Sequence, residues 1–117
     1  MPQKRNPLNL NPLQLKTLTL LQELARLAGK PATAEGDEPG SVAITDFPHA
    51  HGDHFHLGES VVASRDATGL YNQAVFAALE RKGLVRPRFP EAVVLTPAGQ
   101  QYDTGLRDSI LRRGALE

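Results

Sequence analysis

The chain has 117 residues, no cysteine and equal numbers of acidic and basic side chains. That length fits one domain with a single modest core, and the absence of cysteine excludes disulfides and thiolate metal sites. Lys4, Arg5, Asn9 and Asn11 interrupt the first 30 residues, so neither a signal peptide nor a membrane span is read there, and a cytoplasmic protein is expected.

The zero net charge hides a segregation. Residues 1–30 carry a net +4, residues 31–66 a net −6 and residues 67–117 a net +2. Two basic ends flank an acidic middle.

Residues 11–29 spell a helix with both ends marked. Asn11 can cap it, Pro12 suits the first helical position, Gln14 stands where a capping box wants Glu or Gln, and Gly29 stops it. Its leucines and alanines cover about half of the helix circumference, wider than one surface stripe. Either two elements of the same chain cover this arc or a second copy does, and a homodimer is expected. Residues 29–41 read as a flexible Gly/Pro/acid linker. Val42 and Ile44 alternate with polar neighbours as a short strand.

Residues 47–58, FPHAHGDHFHLG, contain all four histidines. If Gly52-Asp53 is a two-residue turn, His51 faces His54 and His49 faces His56, and all four rings share one face. Two or three such imidazoles could hold Zn²⁺, Ni²⁺ or Cu²⁺, with Asp53 as a further ligand or an orienting group. The alternatives are proton binding as pH falls below about 6.5, or a polar surface hairpin. Read literally, His49 to His54 also resembles the H-x-H-x-D-H signature of metallo-β-lactamase-like hydrolases. That fold needs a longer chain and later histidines, and none follows His56. No nucleophile arrangement stands out elsewhere, so a non-enzyme is expected.

Residues 58–70 admit a strand to about Ala63 or a short helix beginning near Glu59, and the helix is favoured. A second clear helix runs from about Gly69 to Gly83, with Tyr71, Ala74, Val75, Ala78 and Leu79 on one face. Two apolar stretches around Pro87 and Pro90 read as a β-hairpin. Thr96 caps a last helix with Asp103–Arg107 and Asp108–Arg112 ion pairs along it.

Two phrases in this half carry a resemblance. Leu79-Glu80-Arg81-Lys82-Gly83-Leu84-Val85 and Leu95-Thr96-Pro97-Ala98-Gly99 lie within residues 74–102, which resemble the second half of a winged helix-turn-helix domain of the MarR-like bacterial regulators. The resemblance implies an α+β, mainly α fold over residues 1–117, with a three-helix core, a small β-wing and a C-terminal helix. It implies a transcriptional regulator that binds duplex DNA. Asn72, Gln73 and Ala77 would then meet base edges, while Arg81, Lys82, Arg86 and Arg88 hold phosphates and Lys4 and Arg5 extend as a basic arm. The recognition helix is about one turn shorter than is usual in that family. The alternative is a metal-binding or protein-interaction module that leaves DNA alone.

Overall fold

A computed structural model describes residues 6–49, 52–89 and 91–113. Helix α1 (Pro12–Ala28) begins with the expected capping box. The Asn11 side chain accepts from the Gln14 N–H at 2.8 Å, and the Gln14 side chain accepts from the Asn11 N–H at 3.0 Å. It ends where Gly29 donates to the Ala25 carbonyl at 2.9 Å.

Then come strands β1 (Lys30–Pro31), β2 (Val42–Ile44), β3 (His54–Leu57) and β4 (Ser60–Ala63), and two 3-10 turns, Ser64–Asp66 and Thr68–Tyr71. Helix α2 (Gln73–Arg81), strands β5 (Val85–Arg88) and β6 (Ala92–Leu95), helices α3 (Pro97–Gln101) and α4 (Arg107–Ile110) and strand β7 (Arg112–Arg113) complete the order. Two antiparallel sheets result, in the orders β1-β2-β6-β5 and β3-β4-β7.

Helix α1 packs against strands of both sheets and against α2. Leu18, Leu20 and Leu21 are fully buried and Leu24 nearly so. Most of the wide apolar arc is therefore covered within one chain, with Leu27 and Ala28 at its end exposed. Thr17 and Thr19 also lie in this face, and each hydroxyl donates to the carbonyl four residues back at 2.8 Å. The stretch 29–41 carries β1 and returns onto the hairpin β5–β6, with the Ala32 N–H on the Ser41 carbonyl at 2.9 Å. Among the described residues no helix is long and apolar enough to cross a membrane.

The mainly α, three-helix winged-helix architecture is overturned. Among the described residues only α1 and α2 exceed seven residues, and two small sheets hold much of the core. Where a helix was favoured after Glu59, the chain forms β4 and then 3-10 turns. Val61 and Val62 favour extended backbone, and Val62 is fully buried opposite Phe55. Gly69 then lies so close to α1 that a Cβ there would stand 1.9 Å from the Thr17 hydroxyl.

The expected C-terminal helix is also broken. The Asp103 carboxylate accepts from the Gly105 N–H at 3.0 Å, and the Thr104 hydroxyl accepts from the Leu106 N–H at 3.3 Å. Such side-chain-to-backbone bonds compete with the helical ladder. Arg107 consequently turns to Glu23 of α1, where an Asp103 partner was expected.

Candidate functional site

Among the described residues a concavity lies between the end of β2, the 3-10 turn at Thr68–Tyr71, the start of α2 and the tip of the β5–β6 hairpin. Its volume is about 410 Å³. Four of the six aromatic side chains in the chain line it: Phe47, Tyr71, Phe76 and Phe89.

Local chemistry sets these rings. The Asn72 side chain accepts from the Ala74 and Val75 N–H groups at 3.0 and 3.4 Å and starts α2 there. Tyr71, just before the cap, stays 60 % exposed, while Phe76, one turn in, falls on the buried face with Val75 and Leu79. Phe76 is the floor. Phe47 stacks on it at 6.5 Å between centroids, and Phe89 meets it edge-on at 5.2 Å. Both separations fall in the attractive range for aromatic pairs. The Tyr71 hydroxyl donates to the Pro48 carbonyl and holds the segment after β2 against the turn. Gln73 and Glu91 supply the polar groups of the lining. An apolar, aromatic cavity with a few polar groups is the usual form of a small-molecule site.

Of the residues expected to meet DNA, Gln73 borders the cavity and the other described ones lie outside its lining. Gln73 and Arg81 are exposed on α2, and Ala77 is half-buried between them. Asn72 spends its side-chain oxygen on the helix cap, which restricts it as a base reader. Lys82 donates to the Leu8 carbonyl at 2.8 Å.

The hairpin arginines are engaged inside the chain. Arg88 forks onto Asp37, one arm at 3.1 Å, and Arg86 donates to the Gly36 carbonyl with its guanidinium 4.0 Å from Asp37. The Asp37 side chain is almost wholly covered and also accepts from the Ala34 N–H at 3.0 Å. Its pKa is lowered, chiefly by the Arg88 hydrogen bonds, against an opposing effect of burial. Sequence reading missed this clamp. The available signal was the acid-rich Glu35–Glu38 stretch set against two arginines two apart on a strand. Lys4 and Arg5 lie outside the described residues.

In the histidine segment Gly52 and Asp53 form a turn, with Gly52 at φ +67°, and the four-ring hairpin expected around it involves His51, which lies outside the described residues. Strand β3 pairs with β4 through a turn at Gly58-Glu59, so His54 faces Ala63 and His56 faces Val61. Gly58 has φ +59°, as the first position of a II′ turn requires. Burial selects this register, because it puts Phe55, Leu57 and Val62 into the core. His54 and His56 therefore share the opposite face. Their Nε2 atoms stand 3.1 Å apart, and the Asp53 carboxylate lies 3.3 Å from His54 Nδ1. His49 is exposed and precedes β3, and His51 lies outside the described residues. Among the described residues no three His, Asp or Glu side chains converge on one metal position.

A further polar centre was unforeseen. Glu23 is 1 % exposed on the packed face of α1 and accepts from Arg26 and Arg107. Its pKa is lowered, foremost by the Arg26 hydrogen bonds, while burial opposes and Arg107 adds to the lowering.

No protein family, curated protein or solved structure matches the chain, so the resemblance of residues 74–102 gains no support from relatives.

Proposed function

We propose that this protein is a ligand-binding domain that takes a small, flat apolar molecule in the cavity between α2 and the β5–β6 hairpin. The observation that carries this reading is the convergence of Phe47, Tyr71, Phe76 and Phe89 on one cavity of about 410 Å³. That volume lies at the lower end of ligand sites, about 300–1,000 Å³. Tyr71 and Phe89, 60 % and 49 % exposed, give aromatic surface that a ligand would cover. Gln73 and Glu91 would orient a polar edge of the ligand.

The test is ligand-observed NMR with matched fragments, bicyclic aromatics such as indole against aliphatic alcohols of similar size. Aromatic fragments should bind selectively, and Tyr71→Ala and Phe89→Ala should each weaken binding with the amide spectrum otherwise preserved. Equal binding of both fragment classes, or binding untouched by both changes, refutes it.

The outer face of α2 favours a second reading, duplex DNA binding. Gln73 and Arg81 are open to solvent, so base contact and phosphate contact are both available there. With Arg86 and Arg88 held by the Gly36–Asp37 loop, few phosphate contacts form and binding is weak and shallow in salt dependence. Fluorescence anisotropy on random duplex at low salt should detect it, and Arg81→Ala should weaken it across sequences. An absence of binding at low salt refutes this reading.

A further inference from the structure

The geometry points to a transition-metal chelate on the outer face of β3, formed by His54 and His56 and oriented by Asp53, for a borderline divalent ion such as Zn²⁺ or Ni²⁺. This is independent of the aromatic cavity. It needs fewer rings than the four-histidine hairpin expected from sequence: His54 and His56 project from β3, and the β4 residues opposite them are Ala63 and Val61.

Three observations carry it. First, strand alternation fixes the two rings on one side. Phe55 and Leu57 are 7 % and 3 % exposed in the core, which leaves His54 and His56 no other face. Second, their Nε2 atoms are 3.1 Å apart. A metal with bonds to nitrogen of about 2.0–2.1 Å holds its donors about 3.3 Å apart when tetrahedral and about 2.9 Å apart when square-planar. The pair falls between these limits, so small rotations of the half-buried His54 ring and the exposed His56 ring reach either geometry. Third, the Asp53 carboxylate stands 3.3 Å from His54 Nδ1. A carboxylate accepting from Nδ1–H selects the tautomer whose lone pair is on Nε2, the arrangement common around ligating histidines.

Proton accounting is consistent with this assignment. With His54 Nδ1–H on Asp53, His54 Nε2 accepts, and the 3.1 Å contact requires His56 Nε2–H to donate. Binding an ion through both Nε2 atoms displaces the His56 proton from Nε2 into solvent. A nitrogen-only pair disfavours Mg²⁺ and Ca²⁺, which require oxygen ligands.

The experiment is calorimetric titration of the full, untagged chain with Zn²⁺ and with Ni²⁺, with Mg²⁺ as control, alongside imidazole ¹⁵N spectra. One ion per chain should bind, and the Nε2 resonances of His54 and His56 should shift. His54→Ala and His56→Ala should each weaken binding at least about tenfold, Asp53→Asn about tenfold, and His49→Ala not at all. The amide spectrum of each variant checks folding, and the wild-type ¹⁵N shifts decide the matter if a variant unfolds. No Zn²⁺ or Ni²⁺ binding, no shift at His54 and His56, or binding that depends on His49 and survives His56→Ala overturns the assignment.

Discussion

Replacing Glu23 with glutamine tests how α4 is fastened to α1. The carboxylate accepts from Arg26 Nε at 3.1 Å and, more closely, from Arg26 Nη2 and Arg107 Nη1. Glutamine keeps the shape and one acceptor oxygen but turns an NH₂ toward a guanidinium, donor against donor. Hydrogen bonds to charged groups contribute about 1.5–3 kcal/mol each. Two considerations reduce the sum. Both arginine side chains are more than half exposed and can turn to water, and removing the charge also removes the cost of burying it. The net loss should be about 2 kcal/mol for Glu23→Gln, or roughly 6–10 °C in Tm for a domain of this size.

The pH dependence gives an internal check. The folded-state pKa of Glu23 lies below its ordinary 4.5, so its contribution is complete above that value. It fades as the pH falls below 4.5 and through the lowered folded-state pKa. Urea denaturation at pH 7 should therefore separate wild type from Glu23→Gln, and the gap should narrow steadily in the acid range below 4.5. A cycle with Arg107→Ala should show a coupling of about 1 kcal/mol. A glutamine variant within about 0.5 kcal/mol of wild type at pH 7, or a gap unchanged by acid, refutes the reasoning.

Gly99→Ala should destabilise by at least about 2 kcal/mol, because its Cβ would stand 2.2 Å from the Leu84 carbonyl oxygen, which the Thr96 hydroxyl also needs. Gly83→Ala, at φ +77° but with open space around it, should cost only about 1 kcal/mol. Urea midpoints rank the pair, and the reverse order refutes the steric argument. If the DNA reading holds, Asp37→Asn should release Arg88, with Arg86 still on the Gly36 carbonyl, and steepen the salt dependence of duplex binding by up to about one ion. An unchanged slope means that Arg88 stays off the phosphates.

What the sequence made legible was governed by local chemistry. Asn11, Gln14 and Gly29 mark the ends of α1 through bonds spanning three or four residues. The hairpin β5–β6 and the Thr96 cap follow from alternation and a single hydroxyl, which accepts from the Gly99 N–H at 3.1 Å. What remained hidden depended on partners far along the chain. Residues 59–71 look helical until Val62 is placed opposite Phe55 and Gly69 against Thr17. The histidine segment contains two glycine turns, Gly52-Asp53 and Gly58-Glu59, and both form; the second was hidden because it depends on β4, a strand that only the burial of Val62 against Phe55 marks out. The aromatic cavity had no local signature, since its rings at 47, 71, 76 and 89 come from separate elements. The winged-helix phrases described α2, the hairpin and the cap, but not the segments on either side.

The place of α1 bears on how the molecule comes apart. The two sheets share no strand, yet both rest on this helix. Detaching either one would expose leucines that are fully buried, such as Leu18, Leu20 and Leu21, so partial opening is penalised from both sides. Slowly exchanging amides in β2, β4 and β6 should therefore escape through one common event, the loss of α1, at matching rates. The aromatic cavity, built beside α1 by elements that lean on it, would persist for as long as that event is rare.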